Sequence, residues 1–558
     1  MSNSIILTFL SAATGYNISW PLVILGVNIL AGLGWCYYQI FLSPLAAIPG
    51  PLLCKIITTR YRLSFLQGIL YRRTVVWHQK YGPIVRIGPN VVSIIDKTAI
   101  RQVHNSYEFV KARSWYHAFE QFAPGMFTAS NEQVHRQLRR IFQPAFTPKA
   151  LRGVEGVITE VGPSSLVEMW GEKLLAAREA KGGGQEKGVI VDLYHDLSFM
   201  LLDIITQLSL GKAVGVLKQG YHPIVEWIHA YTTLVAVFTT LPFLKHINIG
   251  FSTLRQRVKL LWEYSAQCIV EKRIRMDQEK REKISSEKDV EDSDSTPTYR
   301  NQTDMLSGLL RAKDPITQER LSDGQLTSET VTLMIAGTET TSATMCVLYN
   351  LLFHHPEVYQ RLQEEVIQAF PIPSGASSGD PLPLTAEVVK MLDITHSNVK
   401  QRVPYVEAVL NETMRMYPAA PGILIRSVPR GGRIINGHYL PADTLVGLAI
   451  TAYHYGPEWT NPYQFDPDRF VGTQGEKNLV KLLTFSLGPR QCVGRSLAYL
   501  EMIITLATII RIFHVEPADD LQLCKKWVEF VTLRPQDTQF LCRIQPRKEF
   551  TLPNAAKC

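Results

Sequence analysis

The N-terminal part of this sequence lacks charge. No Asp, Glu, Lys or Arg occurs before Lys55, and the 22 residues from Pro21 to Leu42 form an almost unbroken apolar run. A helix of that length spans a hydrocarbon core of about 30 Å. A cleaved signal peptide is the alternative, but it fits poorly because the run is too long and no basic segment precedes it. The sequence therefore predicts a transmembrane anchor over residues 21–42 after a lumenal segment over residues 1–20.

Acidic residues stay absent well beyond the anchor. The first is Asp96, and seven basic residues precede it. By the positive-inside rule, the bulk of the protein then lies on the cytosolic side of the membrane. Residues 43–54 contain three prolines, which resist both helix and sheet, so we expect a stiff, extended connector. A catalytic domain over residues 55–558 would follow it.

Common metal and nucleotide motifs are also missing. The eight cysteines include no Cys-x-x-Cys pair, which excludes the usual zinc spacing and gives no disulfide framework. There is no Walker loop, no dinucleotide fingerprint and no His-Glu-x-x-His. The net charge of +8 is modest for this length. It suggests an acidic partner or a membrane and no nucleic acid.

Most of the sequence after the anchor shows helical spacing in long blocks. Two β-rich runs flank Gly-Pro-Asn within residues 84–95 and predict a hairpin. Residues 271–304, dense in both signs of charge, predict a solvated helix end and a surface loop. Residues 371–385, rich in Pro, Gly and Ser, predict another exposed loop. Neither marks a domain boundary, so we expect one mainly α-helical domain with small β-sheets.

One cysteine stands in a distinctive loop, residues 485–494, which read Phe-Ser-Leu-Gly-Pro-Arg-Gln-Cys-Val-Gly. A surface turn with an incidental cysteine is the simplest alternative, but such a pattern arises by chance in well below roughly one chain in a thousand. Gly488 and Gly494 let the backbone fold around the sulfur of Cys492, near the start of a helical run. Arg490 is placed for a carboxylate. A metal in a ring that carries carboxylates, which is haem, satisfies all these features.

This loop closely resembles the haem-thiolate loop of the cytochrome P450 monooxygenases, and the chain resembles fungal, membrane-anchored (microsomal) members of that family. The resemblance implies the cytochrome P450 fold, as a single catalytic domain behind one N-terminal transmembrane helix. It implies haem b as the cofactor, with the thiolate of Cys492 as the axial ligand of its iron. It also makes Phe485, Gly488, Arg490 and Gly494 cofactor-binding residues.

A second stretch, Ala336-Gly-Thr-Glu-Thr-Thr, lies inside a helix predicted over about residues 327–354. Its glycine and hydroxyls weaken a helix interior, and such departures often mark functional sites. A surface helix is the alternative, but the apolar residues before the stretch argue for burial. The stretch resembles the oxygen-activation motif of the family. The resemblance implies that Thr340 hydrogen-bonds dioxygen at the haem, that Glu339 helps to relay protons, and that Ala336 leaves room beside the haem.

A third stretch is Glu412-Thr-Met-Arg415. An exposed ion pair worth roughly 0.2–0.5 kcal/mol is the ordinary interpretation, but apolar residues share this helix face. A buried pair needs a third polar partner. The resemblance supplies one in Arg469, because Pro-x-Arg-Phe stands at the place that the family leads one to expect. Glu412, Arg415 and Arg469 are therefore predicted to form a buried structural network.

A fourth stretch, His135-Arg-Gln-Leu-Arg139, would alone be a solvated basic face. By resemblance it is the helix that contacts the haem propionates, although His135 stands where tryptophan is frequent. Arg426 also matches a propionate-binding position of the family, and arginine binds carboxylates through two parallel hydrogen bonds. The resemblance thus implies that His135, Arg139 and Arg426 bind the cofactor.

Three functions are compatible with these residues. A monooxygenase would use haem iron, dioxygen and electrons to hydroxylate or epoxidise a lipophilic small molecule, with secondary metabolite biosynthesis as its setting. A haem-thiolate isomerase or dehydratase would rearrange its substrate without external electrons. A haem-binding sensor would turn over nothing. The intact pair of Glu339 and Thr340 favours the monooxygenase.

Electrons must come from another protein, because the chain has no dinucleotide site. The resemblance implies NADPH-cytochrome P450 reductase as the partner, with cytochrome b5 as a further donor. It places the protein in the endoplasmic reticulum membrane, with the catalytic domain facing the cytosol. Basic residues near the cysteine loop would dock an acidic reductase: Arg136, Arg140, Lys149, Arg152 and Arg495.

Overall fold

The N-terminal apolar run is one long helix in the structure, a computed structural model that describes residues 20–120, 123–180, 188–247, 250–286, 304–373 and 381–552. Helix α1 (Trp20–Tyr37) continues as a π-helical turn (Tyr38–Leu42). Together they are long and apolar enough to cross a membrane. The predicted anchor is thus helical throughout. The predicted lumenal segment, apart from Trp20, lies outside the described residues.

Helices dominate the rest of the described chain. They are α2 (Leu52–Ile56), α3 (Thr59–Leu66), α4 (Leu70–Tyr81), α5 (Lys97–His104), α6 (Arg113–Tyr116), α7 (Glu132–Phe142), α8 (Pro148–Thr159), α9 (Ser165–Ala180), α10 (Leu193–Leu210), α11 (Val216–Gln219), α12 (Pro223–Thr240), α13 (Ser252–Ser286), α14 (Met305–Arg311), α15 (Asp323–His354), α16 (Pro356–Ala369), α17 (Ala386–Met391), α18 (His396–Arg402), α19 (Pro404–Met416), α20 (Ile450–His454), α21 (Gly472–Leu479), α22 (Arg495–Ile512) and α23 (Asp520–Leu523). Short 3-10 or π-helical turns lie at Gln143–Phe146, Glu160–Ser164, Pro242–His246, Pro467–Phe470 and Gly488–Arg490.

The strands are short and form small sheets. They are β1 (Ile84–Gly88), β2 (Val91–Ile94), β3 (Val189–Asp192), β4 (Leu382–Pro383), β5 (Ile423–Ser427), β6 (Arg433–Ile435), β7 (His438–Leu440), β8 (Leu445–Ala449), β9 (Phe513–Pro517), β10 (Trp527–Phe530), β11 (Thr532–Pro535), β12 (Leu541–Pro546) and β13 (Phe550–Thr551). The largest sheet has the order β1-β2-β8-β5, and β3-β12-β9 form an antiparallel sheet. The predicted hairpin within residues 84–95 is confirmed as antiparallel β1 and β2.

The proline-rich connector over residues 43–54 is not extended, so that expectation was wrong. Backbone hydrogen bonds close successive turns over residues 43–48, and α2 begins before the connector ends. The side chains of Leu45, Ile48 and Cys54 are buried in the smaller of two hydrophobic cores, which surrounds the four-stranded sheet. Prolines are also common in turns. The free energy gained by burying these apolar side chains outweighs the preference of proline for an extended backbone.

Three helices bring the predicted functional stretches together in the larger core. Helix α15 packs against α19 and α22, and these two also pack against each other. A capping box starts α15: Ser322 Oγ accepts the N–H of Gln325 at 3.2 Å, and the N–H of Ser322 donates to Gln325 Oε1 at 3.0 Å. This cap places the start of α15 at Asp323, four residues before the predicted start. The apolar helix expected after the cysteine loop is α22.

The two predicted surface segments are described only in part. Helix α13 runs into the charged segment as far as Ser286, and residues 287–303 lie outside the described residues. Residues 374–380 of the second predicted loop also lie outside them. The end of that loop forms β4, which pairs in parallel with β13. Sequence did not predict this strand, because two residues carry no alternating pattern.

Candidate active site

The loop around Cys492 is closed by its own backbone. The N–H of Cys492 donates to the carbonyl of Phe485 at 2.9 Å, and the N–H of Gln491 donates to that of Gly488 at 3.1 Å. Gly488 has φ +71°, and a Cβ atom there would lie 2.2 Å from the carbonyl oxygen of His104. Only glycine tolerates both conditions. The fold itself therefore requires Gly488.

The sulfur of Cys492 lies among hydrogen-bond donors at the start of α22. Burial raises the pKa of its thiol, while the N–H groups of Gly494 and Arg495 and the charge of Arg139 act in the opposite direction. The side chain is nevertheless accessible. The sulfur is thus accessible although protein atoms surround it closely. A bound metal would deprotonate it outright, so the position suits a metal ligand better than a free nucleophile.

Helix α7 is fastened to the same loop. Arg139 donates from Nη1 to the carbonyl oxygens of Pro489 at 3.0 Å and Gln491 at 2.9 Å. His135 is buried, and its Nδ1 lies 3.2 Å from the hydroxyl of Tyr107. Arg139 thus anchors the cysteine loop. The propionate contacts expected of both residues stay predictions.

Basic side chains converge beside the loop without an acidic partner. We call Lys111, His135, Arg426 and Arg490 the basic cluster. Lys111 and Arg426 are buried, and a backbone β-bridge joins them. Within the described parts of the chain, neither arginine nor the lysine forms an ion pair with a carboxylate. Their hydrogen bonds go to the backbone carbonyls of Phe127, Ile425 and Ala129.

The members of the basic cluster repel one another. Burial, with Arg426 and Arg490 close by, lowers the pKa of Lys111 well below its usual range. Burial and the nearby Arg490 and Lys111 lower the pKa of His135 to about 3, so its ring is neutral. Burial and Arg426 lower the pKa of Arg490 to about 10. Buried cations are costly without a counter-charge. A group with two carboxylates, such as haem with its propionates, would supply one.

The chain offers a single protein ligand at this place. Among the residues that the structure describes, no group of three or more His, Cys, Asp or Glu side chains could hold a metal ion. An iron bound at Cys492 would therefore need other ligands that these side chains do not supply, such as the nitrogens of a porphyrin. The sulfur of Cys492, the adjacent N–H groups and the basic cluster together fit a porphyrin iron.

Helix α15 presents an open stretch in a mostly buried helix. Ala336 is exposed and Thr340 half-buried, and the hydroxyl of Thr340 donates to the carbonyl of Ala336 at 2.7 Å. A Cβ atom at Gly337 would come within 2.9 Å of Ile205 on α10, so glycine allows the two helices to pack closely. Despite the predicted weakness, α15 stays helical here, because hydroxyls bond to carbonyls one turn back.

Glu339 lies on another face of α15 from Thr340, because consecutive helical residues are separated by about 100°. Its carboxylate accepts a hydrogen bond from the hydroxyl of Thr532 on β11 at 2.8 Å. Burial raises the pKa of Glu339, against the opposing effects of Thr532 and Arg534. Burial thus favours the protonated form of this acid more than solvent would.

The Glu412 network joins α19 to the segment before the cysteine loop. Arg415 donates from Nε and Nη2 to the two oxygens of Glu412 at 2.7 and 2.8 Å. Arg469 donates from Nε to Glu412 Oε1 at 3.1 Å, and both Glu412 and Arg415 are fully buried. The structure thus brings the three residues together as a buried network. Backbone carbonyls accept the other arginine N–H groups: those of Thr460, Asn461, Pro462, Gln464 and His454.

Sequence reasoning missed one member of the basic cluster, Lys111. Its only sequence signal is a lone lysine between Val110 and Ala112, which an exposed strand end would carry equally well. It also missed Glu501 of α22, a buried carboxyl whose Oε1 has no hydrogen-bond partner among the described residues. A buried glutamate inside an apolar helix was a usable signal for the second.

Comparison with known proteins points to one family. The family model described as cytochrome P450 matches residues 48–542. Similar fungal proteins include cytochrome P450 monooxygenase lcsI of Purpureocillium lilacinum, 27% identical over 531 residues (92% of each chain). Another is cytochrome P450 monooxygenase prhB of Penicillium brasilianum, 28% identical over 501 residues (88% of this chain, 91% of that protein). The crystal structure of the cytochrome P450DA haem domain shares the fold, with a TM-score of 0.70 and 22% identity, covering 90% of this chain and 98% of that one.

Proposed function

Because the chain belongs to the cytochrome P450 family, we propose that it is a membrane-anchored monooxygenase that hydroxylates or epoxidises a lipophilic small molecule in secondary metabolite biosynthesis. Its cofactor is haem b with a cysteine thiolate as the axial ligand, and the relatives it resembles carry the name monooxygenase. One observation carries the proposal. The acid and alcohol of Glu339 and Thr340 are intact on α15, which packs against the helix that follows Cys492.

Haem bound at Cys492 would supply an iron that accepts single electrons and activates dioxygen. The side chains of this protein have supporting tasks. Cys492 provides the sulfur, and the N–H groups of Gly494 and Arg495 favour its anionic form. The basic cluster is suited to bind the two propionates. Ala336, exposed on α15, leaves space for a substrate.

Thr340 and Glu339 are suited to hold and move protons. The hydroxyl of Thr340 donates a hydrogen bond to the carbonyl of Ala336, which leaves its oxygen free to accept a hydrogen bond from a water molecule. Burial raises the pKa of Glu339, which makes its carboxyl a better proton carrier than an exposed glutamate. Since the two side chains lie on different faces of α15, water would bridge them. Proton transfer by a positioned group typically contributes about 10²–10⁴-fold to a rate.

An isomerase or dehydratase is the second candidate, and no observation favours it. Such an enzyme needs neither proton delivery to oxygen nor external electrons. An intact acid and alcohol at Glu339 and Thr340 would serve no purpose in it. The pair therefore supports the monooxygenase.

We propose NADPH-cytochrome P450 reductase as the electron donor, with cytochrome b5 as a further one, because the sequence has no dinucleotide fingerprint. Two of the five basic residues predicted to dock the reductase, Arg136 and Arg140, already pair with acids. The other three are exposed, and within the described residues they form no ion pair: Lys149, Arg152 and Arg495. Arg495 adjoins the cysteine loop, which supports docking on this side.

An exposed apolar surface beside the anchor supports a lipophilic substrate and a place on the endoplasmic reticulum membrane, with the catalytic domain in the cytosol. Leu52, Leu53 and Ile57 are exposed next to α1, as are Phe243 and Ile247 after α12. A hydrogen bond of 3.4 Å between α3 and the end of α12 makes these elements neighbours. Apolar surface of this kind is suited to contact lipid. Most of α12 itself packs in the larger core.

The proposal predicts that removing the hydroxyl of Thr340 separates electron consumption from product formation. Lipophilic terpenoids and polyketides would first be screened for ligand-induced shifts of the haem spectrum. With NADPH, the reductase and a compound that shifts it, Thr340→Ala should keep oxidising NADPH. Product formed per NADPH should fall by about 10²-fold, because the two electrons from NADPH would then reduce dioxygen, with two protons from solvent, to free hydrogen peroxide.

Thr332→Ala is the matched control, since Thr332 also donates to a carbonyl one turn back on α15, that of Ser328, at 2.8 Å. It should leave the ratio of product to NADPH unchanged. An unchanged ratio in Thr340→Ala would contradict the role given to Thr340. Product formed without NADPH and reductase would contradict the monooxygenase itself and favour an isomerase.

A further inference from the structure

Lys111 is a buried cation in a place that the known motifs of the chain do not cover. It lies between α5 and α6, with only 6% of its surface exposed. Its Nζ donates to the carbonyl of Phe127 and lies 4.5 and 4.2 Å from the ring centres of Tyr116 and Phe127. These contacts hold the ammonium group on one side. They leave most of its hydrogen-bonding capacity unused, because an ammonium group has three N–H donors.

Among the residues that the structure describes, the charged groups that act on Lys111 are two arginines, and no carboxylate pairs with it. Its backbone forms a β-bridge with Arg426, and the guanidinium groups of Arg426 and Arg490 are near enough to disfavour its charge. Glu132, a carboxylate that acts on Arg490, already pairs with Arg136 at 2.5 Å. A cluster of buried cations without a counter-ion is unstable. The missing partner is therefore an anion that the described part of the chain does not provide.

We propose that Lys111 binds a haem propionate, together with Arg426 and Arg490, and is a cofactor-positioning residue of this chain. The proposal rests on the haem that membership of the family provides and is independent of the reaction proposed above. The chemistry required is a carboxylate. A carboxylate on the substrate is the other source, and the experiment below distinguishes the two.

The same contacts connect the cofactor to the loop over residues 123–129. The N–H of Met126 donates to Glu329 on α15, the carbonyl of Phe127 accepts from Lys111, and that of Ala129 accepts from Arg490. Three nearby backbone groups are thus fixed, one by α15 and two by the basic cluster. A propionate bound to Lys111 would neutralise the charge of the ammonium group. It would also stabilise the part of this loop that Lys111 contacts.

Resonance Raman spectroscopy of the full-length holoprotein tests the contact, because propionate bending bands respond to hydrogen bonds made with the propionates. In Lys111→Met, without any added ligand, we expect a displaced propionate band. We also expect haem transfer to excess apomyoglobin to be faster by about 10-fold or more, since hydrogen bonds to charged groups are the stronger ones. Lys149→Met, which removes an exposed lysine, should leave both measurements unchanged.

A second variant keeps the test decisive if Lys111→Met does not fold. Lys111→Arg keeps the charge and a donor but changes its geometry, so it should retain haem like the wild type and still show a displaced band. An unchanged band in either variant would overturn the proposal. Binding of a fatty acid and of its methyl ester would complete the comparison. Selective loss of acid binding, with the band unchanged, would assign Lys111 to the substrate and overturn the proposal.

Discussion

Two glycines share a backbone conformation but differ in their surroundings. Gly488 in the cysteine loop has φ +71°, and Gly472 at the start of α21 has φ +62°. A Cβ atom at Gly488 would lie 2.2 Å from a carbonyl oxygen of His104, whereas one at Gly472 would meet nothing within 4 Å. Replacing each glycine by alanine therefore distinguishes two energetic costs. One is the cost of a left-handed backbone, which both positions share, and the other is the cost of a steric clash, which only Gly488 has.

We expect Gly488→Ala to lose most of its haem, because the cysteine loop must move away from the end of α5 to admit the methyl group. Gly472→Ala should keep its haem. Its free energy of unfolding should fall by only about 1–2 kcal/mol, the ordinary cost of an alanine in the left-handed conformation. The measurements are haem content and the absorbance of the reduced carbon monoxide complex. Full haem content in Gly488→Ala would contradict the importance given to this close approach.

Single residues were predictable where a motif fixed them. The cysteine loop, the acid and alcohol of α15 and the Glu412 network each came from a short pattern, and the structure brings these stretches to neighbouring elements. Lys111 had no pattern, because what marks it is burial among other cations, which only the folded chain shows. Arg139 shows a related limit. Its position was predicted, yet its hydrogen bonds to the cysteine loop depend on how α7 docks.

Elements in this protein are joined by buried arginines. Arg415 and Arg469 hold Glu412 between α19 and the segment before the cysteine loop. Arg86 of β1 is also fully buried, and it donates to Gln39 in the π-helical turn that ends the N-terminal apolar helix. This second contact helps to explain why the connector folds back, since Arg86 is satisfied only when that turn lies against the sheet.

Arg415→Ala should destabilise the protein by about 3–5 kcal/mol, because it leaves the Glu412 carboxylate buried without its main partner. We expect that variant to be isolated largely without haem, as the segment leading to the cysteine loop loses its attachment to α19. Lys259→Ala breaks an exposed ion pair on α13 and should behave like the wild type. Thermal unfolding and haem content measure both variants. A stable, haem-replete Arg415→Ala would show that the network is dispensable.

Element types were easier to predict than element ends. The N-terminal apolar helix followed from an unbroken apolar run, and the hairpin of β1 and β2 and the helices α15 and α22 followed from periodicity and turn residues. The start of α15 lay earlier than predicted, because a capping box at Ser322 outweighed the hydrophobic pattern. The prediction of an extended connector was wrong because proline content reports only the local conformational preference of the backbone. Burial of Leu45 and Ile48 is a tertiary effect.

At the scale of the whole molecule, buried titratable groups set how stability depends on pH. Burial raises the pKa of Glu329 to about 7 and those of Glu501 and Glu529 to about 8. Burial lowers the pKa of His78 to about 4 and that of His454 to about 3. The glutamates and the histidines change the stability of the fold in opposite directions as pH rises. Each kind of group acts over a different range of pH.

The sign of each contribution follows from where protons bind more tightly. The two histidines bind protons better in the unfolded chain, so their contribution to stability grows as pH rises and is complete above about pH 6.5. The glutamates bind protons better in the folded chain, so their contribution is lost as pH rises from about 4.5 to 8. Between pH 6.5 and 8, the glutamates alone among these groups reduce stability.

Glu501→Gln should therefore lose less stability than the wild type between pH 6.5 and 8. The carboxyl of Glu501 lies against Thr341 of α15, and glutamine keeps a polar contact there without a charge to desolvate. A shift of one pKa unit corresponds to about 1.4 kcal/mol, so the wild type should lose about 2 kcal/mol over this range on account of Glu501. Midpoints of thermal haem loss at several pH values would show the flatter profile. Glu263→Gln, an exposed change on α13, should follow the wild type, and parallel profiles for Glu501→Gln and the wild type would show that Glu501 is ionised in the folded protein.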